Sequence, residues 1–158
     1  MDISVVTAVH NGEKYLRATL DSILAQTFVN FEVIVIDDCS TDKTSAILAE
    51  YAEKDSRIKV FANEENLKLA RSLNRGISLA SGKYILRMDA DDICLADRFE
   101  KQFEYMETHP GTDVSFCKYF IFRDGEITPC VVGRKCGAEK IKAMFLFFCP
   151  VLHPGVIA

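Results

Sequence analysis

An acidic run, Asp89-Ala90-Asp91-Asp92, is the part of the sequence whose residue types and spacing most suggest chemistry. Carboxylates at positions i and i+2 of a loop can turn toward one hard cation, and Mg²⁺ or Mn²⁺ prefers oxygen ligands. Without a cation, neighbouring carboxylates repel each other. The alternative interpretation is a solvated acidic turn or a cap for the next helix. The position directly after a predicted parallel strand favours ligand binding.

Polar residues also follow two other predicted strands. Asp37 and Asp38 come after an apolar strand, where a carboxylate can accept a hydrogen bond from a base imide N–H or a ribose hydroxyl. One of the two is expected to cap the following helix, and Asp38 is the one assigned to the ligand. His10 and Asn11 follow the first strand. The His10 ring is expected to lie against a base, and Asn11 to cap its own helix.

Two cations lie near the start of the third predicted helix. Lys68 and Arg71 stand out because the chain as a whole is acidic, with a net charge of −4. Either side chain is a candidate for contact with a diphosphate. The alternative is a solvated helix face, on which long basic side chains are common.

The elements that must position these groups follow from hydrophobic periodicity. Short apolar runs alternate with amphipathic stretches, which predicts a mostly parallel sheet with helical crossovers. If the strand order is 3-2-1-4, all the polar strand ends meet in one crevice, where open α/β sheets bind ligands. The predicted strands are 3–9, 31–36, 57–61 and 84–88. The predicted helices are 13–26, one that opens at Ser40 or Thr41, one marked by Leu69, Leu73 and Ile77 that stops before Gly82, and 97–107.

The last third of the sequence is less regular. Runs at 114–122 and 126–132 flank Arg123-Asp124-Gly125, which suggests a hairpin. Residues 138–148 indicate another helix. The segment 153–158 is apolar and strand-like, and such an unfinished ending suggests a truncated chain.

Composition excludes several classes of protein. The chain has 158 residues, 49% of them hydrophobic, which is typical of one globular domain. A sequence pI of about 5.4 argues against nucleic-acid binding through bulk charge, so an anionic ligand must be held locally by a metal or by helix N-termini. The apolar run 143–152 is too short for a transmembrane segment, which needs about 20 residues.

The cysteines and the N-terminus indicate the compartment. The 6 cysteines form no C-x-x-C pair and no zinc-site spacing, so they are expected to be buried reduced thiols. The N-terminus lacks the basic region of a signal peptide. A cytoplasmic protein is therefore expected, with peripheral contact at the membrane as the alternative.

Taken together, these motifs resemble the family-2 glycosyltransferases, which have the GT-A fold. The resemblance is dense from residue 3 to about 107 and thin afterwards. It implies an α/β fold with a Rossmann-like, open, mostly parallel sheet flanked by helices, followed by a C-terminal hairpin and helix region. The matching segments are 4–16, 22–28, 31–42, 66–76 and 82–92.

The resemblance also implies an activity and a domain plan. The expected activity is inverting transfer of a sugar from a nucleotide-sugar donor, most often a UDP-sugar, to a hydroxyl of a saccharide or lipid-linked acceptor. Mg²⁺ or Mn²⁺ is the expected cofactor. Residues 1–158 would form a single domain, with a nucleotide-binding core at 1–107 and the start of an acceptor-side region at 108–158.

Individual roles carry over where this sequence matches the family's motifs. Asp38 matches the aspartate that contacts the nucleobase. Asp91 matches the direct metal ligand, and Asp89 points toward the ribose, the metal or a metal-bound water. Ala8 and His10 fall where the family often has Pro and Tyr beside the base.

Other positions depart from the family pattern or match it less closely. Lys68 replaces a frequent Gly, which either adds a cation near the nucleotide or alters the loop. Cys39 stands where Gly or Asn is common. His153-Pro154 resembles a segment near the acceptor. The resemblance implies that the catalytic base is an acidic residue downstream of that segment, expected beyond residue 158, so no catalytic residue is named.

Other classes compete with this interpretation. The most serious is a fragment that binds the donor but is catalytically incomplete. A D-x-D phosphatase or phosphotransferase usually has Thr or Val after the second Asp, where this chain has Asp92. A receiver-like signalling module is too small to explain the length. A dinucleotide enzyme is disfavoured because no G-x-G-x-x-G follows the first strand.

Overall fold

A computed structural model describes residues 1–123, 126–132, 139, 141 and 153–158. Its main sheet has the strand order β3-β2-β1-β4-β8-β5, which confirms the predicted 3-2-1-4 arrangement of the first four strands. The strands of this sheet are β1 (Ile3–Val9), β2 (Phe31–Asp37), β3 (Ile58–Ala62), β4 (Tyr84–Arg87), β5 (Ser115–Phe116) and β8 (Val156–Ile157). The helices are α1 (Leu16–Leu24), α2 (Thr44–Lys54), α3 (Lys68–Leu79) and α4 (Arg98–Thr108).

The centre of the sheet is parallel and buried. β1 pairs with β2 on one side and with β4 on the other, and β2 pairs with β3, all in parallel. β-branched apolar residues fill these strands because a parallel sheet is covered on both faces. The carboxyl ends of β1, β2 and β4 therefore lie side by side, at the edge where the predicted polar groups are found.

The two faces of the sheet are packed differently. One face carries the main core, in which Val5, Val33 and Val35 pack with Leu20 of α1 and Leu48 of α2. This core accounts for the helical spacing of apolar residues in α1 and α2.

α3 covers the other face of the sheet. Leu69 and Ile77, whose spacing predicted this helix, are 51% and 48% exposed. The buried residues are Ser72 and Gly76. A Cβ on Gly76 would lie 2.6 Å from a methyl group of Val6, so the absence of a side chain lets the helix lie close to the sheet.

The C-terminal part completes the main sheet and adds a hairpin. The predicted hairpin is confirmed as β6 (Tyr119–Arg123) paired antiparallel with β7 (Glu126–Val132). Residues 124–125 and the predicted helix at 138–148 lie outside the described residues, apart from the isolated positions 139 and 141. The strand-like ending is confirmed, because β8 lies antiparallel between β4 and β5.

A charged residue that the sequence analysis did not single out is buried in β2. Glu32 is 0% exposed and lies near the start of the strand, at the edge of the sheet opposite the predicted site. Burial alone would raise the pKa of this carboxyl. Hydrogen bonds from Lys59, Ser4 and Ser81 outweigh burial and lower the pKa to about 2. Glu32 therefore joins β1, β2, β3 and the segment before β4 as an ionised, fully bonded carboxylate.

The cysteines with described side chains are free thiols. Cys94 is buried, as predicted, whereas Cys39 and Cys117 are partly exposed, so the prediction of buried thiols is wrong for those two. Cys136 and Cys149 lie outside the described residues. Within the part of the chain that the structure describes, no helix is both long enough and apolar enough to cross a bilayer.

Candidate functional site

The loops that follow β1 and β2 are bonded to each other. Asn11 was expected to cap α1, but its Oδ1 instead accepts hydrogen bonds from the N–H and hydroxyl of Thr41. α1 begins later than predicted, at Leu16, because residues 10–13 are held by the neighbouring loop. Four further bonds join a backbone N–H of one loop to a side chain of the other: Asn11 to Ser40, Gly12 to Thr44, Glu13 to Asp42, and Lys43 to Glu13.

Backbone strain is concentrated at the same edge of the sheet. Among the described residues, the non-glycine residues with positive φ are Asn11 at 54°, Cys39 at 61° and Lys68 at 68°. Such conformations cost about 1–3 kcal/mol for each residue and cluster at functional sites. Lys68 and Cys39 thus adopt a backbone conformation that glycine adopts without steric cost.

Asp37 and Asp38 point to opposite faces of the sheet, as neighbours in a strand do. Asp37 accepts hydrogen bonds from the Ser40 N–H at 3.0 Å and from the Ser45 hydroxyl at 2.5 Å, and it thereby supports the start of α2. Asp38 is 4% exposed and faces α3. Its Oδ1 accepts from Asn63 Nδ2 at 2.7 Å and from the Leu67 N–H at 2.8 Å.

The surroundings of Asp38 keep it ionised. Burial acts to raise its pKa, but the hydrogen bonds from Asn63, the Leu67 N–H and Ser72 outweigh burial and lower the pKa. An ionised carboxylate is a hydrogen-bond acceptor only. A ligand group that donates a proton therefore matches this side chain, and a group that only accepts does not.

His10 lies next to Asp38, as the sequence analysis expected. Its ring is exposed, and its Nδ1 lies 2.8 Å from the backbone oxygen of Asp38. Because a carbonyl oxygen only accepts, Nδ1 carries the proton, and Nε2 accepts from Asn11 Nδ2 at 3.3 Å. These two hydrogen bonds hold the exposed ring at the end of β1. Ala8, two residues earlier in β1, is partly buried opposite Ile36.

The acidic run forms a tight loop after β4. Its ends are closed by the Asp92 N–H, which donates to the Asp89 oxygen at 3.4 Å. Asp89 forms an ion pair with Arg87, and Asp91 is exposed. Burial, followed by the negative charges of Asp89 and Asp91, raises the pKa of Asp92. Carboxylates in this loop therefore repel each other, as the sequence analysis inferred.

A polar stripe on α1 holds the acidic loop in place, and the sequence analysis missed it. The Thr19 hydroxyl donates to the Ala90 oxygen at 2.9 Å, and the Ser22 hydroxyl accepts from the Cys94 N–H at 3.1 Å. Gln26, two residues after the end of α1, donates to the Leu95 oxygen at 2.8 Å. The spacing of these residues, which places them on one side of a helix, was the available signal. The stripe ties the position of the loop to that of α1.

α4 connects the acidic loop to the segment that begins at His153. The Arg98 guanidinium donates to the Arg87 oxygen at 3.2 Å and to the Pro154 oxygen at 2.7 Å. Gln102 donates to the Gly155 oxygen at 3.0 Å. The backbone of the His153–Gly155 turn thus lies beside the end of β4, so the two segments that the sequence analysis assigned to donor and acceptor are neighbours.

The predicted cations lie at the other side of the strand ends. Lys68 and Arg71 are exposed, at the first residue and in the first turn of α3, and Leu67 just before them bonds to Asp38. The structure therefore brings Ala8, His10, Asp38 and the start of α3 together in one group. The acidic loop forms a second group, and β1 separates the strands that carry them.

The carboxylates of the acidic loop are ligands of the kind that a divalent cation prefers, but those of the described residues do not form a complete metal site. Within the described ranges, no group of three His, Cys, Asp or Glu side chains is arranged to hold a metal ion. Mg²⁺ commonly binds one or two carboxylates together with substrate phosphates and waters. The exposed Asp91 and its repelling neighbours fit that role, in which the substrate supplies the remaining ligands.

The chain belongs to glycosyl transferase family 2, whose family model matches residues 4–129. An uncharacterized glycosyltransferase of Methanocaldococcus jannaschii is 40% identical, with 98% of this chain and 54% of that protein covered. The Escherichia coli protein named UDP-Glc:alpha-D-GlcNAc-diphosphoundecaprenol beta-1,3-glucosyltransferase WfgD is 36% identical, with 88% and 52% covered. The chain spans about half the length of the curated relatives that it matches.

Solved structures confirm the GT-A fold. S. aureus TarS in complex with UDP matches with a TM-score of 0.72 and 32% identity, covering 82% of this chain and 38% of that one. TarS in complex with UDP-GlcNAc matches with the same TM-score and identity. A mannosyltransferase from Pyrobaculum calidifontis, solved with GDP-Man and Mn²⁺, has a TM-score of 0.62 at 24% identity and supports the fold alone.

Proposed function

We propose that the chain binds a nucleotide-sugar donor, a UDP-sugar, at the carboxyl ends of β1, β2 and β4, and that it does so with Mg²⁺ or Mn²⁺. The proposed reaction is inverting transfer of the sugar to an acceptor hydroxyl. The observation that carries the proposal is the pairing of a buried, ionised Asp38 on one side of β1 with an acidic loop on the other.

The Asp38 side of the site suits a uracil base. Uracil offers an imide N–H, which the ionised carboxylate accepts, and its ring offers a face for His10. Ala8 lies on the same strand and presents its backbone beside the base. Similarity to TarS, which has been solved with UDP and UDP-GlcNAc, supports a uridine donor.

The acidic loop suits the diphosphate. Asp91 would hold the cation directly, and Asp89, restrained by Arg87, would face the ribose or a water on the cation. A bound divalent ion neutralises the charge that develops on the departing diphosphate. Lys68 and Arg71, exposed in the first turn of α3, would meet the nucleotide from that side.

Acceptor activation involves the segment that α4 holds beside β4. An acceptor hydroxyl must lose its proton as it attacks, which a carboxylate base accelerates by ~10²–10⁴-fold. The resemblance places this base downstream of His153–Pro154, and no residue of this chain is assigned to the role. The name of the E. coli relative suggests a lipid-linked saccharide as the acceptor class.

Calorimetric titration of the 158-residue chain with UDP, with and without Mn²⁺, tests the proposal. We expect binding of UDP that Mn²⁺ strengthens on the order of 100-fold, which is ~2.7 kcal/mol. Asp113→Asn, a change at an exposed aspartate outside the site, is the matched control and should bind like the unmodified chain. Absence of metal-dependent binding to any nucleoside diphosphate would contradict the proposal.

A second candidate function is donor binding without turnover. The observation that favours it is the coverage of only about half of each curated relative. Under this alternative the chain binds UDP with Mn²⁺ but transfers sugar poorly with any acceptor. Release of UDP from UDP-sugars in the presence of saccharide acceptors distinguishes the two, and robust turnover would eliminate the second candidate.

A further inference from the structure

Asn63, a buried amide just after β3, has no role in the function proposed so far. It is 6% exposed, and its backbone N–H donates to the Asp37 oxygen at 2.8 Å. Its side-chain Nδ2 donates to Asp38 Oδ1 at 2.7 Å and to the Ser72 hydroxyl at 2.8 Å. Both hydrogens of the amide are thus donated within the protein, and one of them goes to Asp38, the carboxylate proposed to bind the nucleobase.

Arg75 of α3 fixes the orientation of that amide. Its Nη1 donates to Asn63 Oδ1 and also to the Ala62 oxygen, at 2.7 Å in the second case. A guanidinium group can only donate, so the oxygen end of the amide must face Arg75. Rotating the amide by half a turn would set its oxygen against the Asp38 carboxylate and its NH₂ group against Arg75. Arg75 therefore makes the donor end of Asn63 face Asp38.

The orientation of Asn63 decides what Asp38 can recognise. With N–H donors from Asn63 and Leu67 on Oδ1, Asp38 presents an anion that accepts hydrogen bonds and has no proton to donate. Uracil carries an N–H at its imide position, whereas the corresponding nitrogen of cytosine is an acceptor. A site built to receive an N–H rejects an analogue that lacks it, because buried polar groups are then left unpaired.

We propose that Asn63 and Arg75 are positioning residues that make Asp38 select a uracil over a cytosine base. This inference rests on the proposed donor site. The charged and titratable groups around Asp38 are His10 at the end of β1, Asp37 directed toward α2, Lys68 beside Leu67, and Arg75 acting through Asn63. None of them occupies the position of Asn63 between Arg75 and Asp38.

The test compares the affinities of UDP and CDP for the 158-residue chain at pH 7 with Mn²⁺. We expect the unmodified chain to prefer UDP at least about tenfold. Asn63→Asp places a second carboxylate against Asp38, so the pair retains a proton, which can be donated to cytosine. The UDP preference should then fall about tenfold. Asn74→Asp, the same change at an exposed position of α3, is the matched control and should leave the preference unchanged.

Arg75 provides a second test that does not change the charge beside Asp38. Arg75→Met removes the donor that orients Asn63 and should lower the UDP preference about threefold or more, whereas Arg75→Lys keeps a donor and should restore most of it. Weaker binding of UDP and CDP by equal factors in both Asn63→Asp and Arg75→Met would overturn the inference. If Asn63→Asp fails to fold, the Arg75 pair alone decides in the same way.

The outcomes separate this inference from the function on which it rests. If the unmodified chain binds no nucleoside diphosphate, both are overturned. If it binds UDP with Mn²⁺ but the Asn63 and Arg75 variants keep the full preference for UDP over CDP, the donor site stands and this inference alone is wrong.

Discussion

The pKa of a carboxyl group is shifted in opposite directions in two regions of the molecule, around Asp38 and in the acidic loop after β4. Asp38 is buried, but donors from Asn63, Leu67 and Ser72 lower its pKa. Asp92 is partly buried, and the charges of Asp89 and Asp91 add to burial in raising its pKa. Hydrogen-bond donors outweigh burial at Asp38, whereas Arg87 and Arg98 do not offset burial and like charge at Asp92.

This difference indicates which part of a ligand each region receives. A carboxylate already held by donors is preorganised, which suits recognition of the N–H of a nucleobase. A group of repelling carboxylates gains most from a cation, and a cation brings the diphosphate with it. The comparison therefore predicts metal-independent recognition at Asp38 and metal-dependent recognition at the loop.

The largest expected effect is on stability and lies at a third carboxylate, Glu32, outside the site. The pKa of about 2, compared with an ordinary value of 4.5, means that the ionised form stabilises the fold by roughly 3 kcal/mol near neutral pH. Because the folded-state pKa is the lower one, this stability is present above about pH 4.5 and is lost as the pH falls toward 2. Glu32→Gln should destabilise by a similar amount in urea unfolding at pH 7.

Glu32→Gln also serves as a control for the comparison. Its effect on unfolding should shrink as the pH falls toward 2, and UDP binding below the unfolding temperature should not change. A variant that unfolds like the unmodified chain would show that the buried bonds of Glu32 contribute nothing net. Weaker UDP binding by a fully folded variant would show that the two edges of the sheet are not independent.

The next effect is at the proposed metal ligand. Asp91→Asn should remove the strengthening of UDP binding by Mn²⁺, a loss on the order of 100-fold or ~2.7 kcal/mol. Asp92→Asn should weaken the Mn²⁺-dependent binding of UDP much less, because removing this charge also relieves repulsion within the loop. Calorimetry with and without Mn²⁺ measures both variants. Equal losses would mean that the roles within the loop are assigned wrongly.

A smaller effect, independent of the metal, is expected at Asp38. Asp38→Asn replaces an ionised acceptor with a neutral amide and removes a charge-assisted hydrogen bond, worth about 1.5–3 kcal/mol. UDP affinity should fall by the same factor with and without Mn²⁺. A loss seen only in the presence of Mn²⁺ would remove the distinction between the two regions.

The smallest effect concerns Lys68, for which the sequence left two roles open. Its positive φ of 68° costs about 1–2 kcal/mol, which glycine would relieve, less the extra backbone entropy of glycine. Lys68→Gly should therefore stabilise the chain by up to about 1 kcal/mol in thermal unfolding. If the ammonium group meets the diphosphate, UDP binding should weaken severalfold in low salt, and Lys68→Gly without any weakening would assign the residue to the loop alone.

Much of this arrangement could be predicted from the sequence because it follows from the order of elements. Alternating strands and helices fix a parallel sheet, and a parallel sheet brings strand ends to one edge, so Asp38, His10 and the Asp89–Asp92 run could be placed there. The bounds of the strands were also close: the strand predicted at 57–61 is Ile58–Ala62.

What could not be predicted depends on contacts between distant segments. Asn11 looks like a helix cap in isolation, but its partner is Thr41, in a loop 30 positions along the chain. The spacing of Leu69, Leu73 and Ile77 predicted α3 but not its buried side, which is formed by the small residues Ser72 and Gly76. In the sequence, Glu32 is an isolated charge in an apolar strand. Its partners Lys59 and Ser81 come from distant segments that only the fold brings beside it.

A crystal structure of the chain with UDP and Mn²⁺, with the manganese located by its anomalous scattering, tests the central claim most directly. We expect one UDP molecule with its uracil imide N–H on the Asp38 carboxylate and its diphosphate on a manganese ion bound by Asp91. A manganese ion distant from Asp91, or a uracil that does not contact Asp38, would contradict the account.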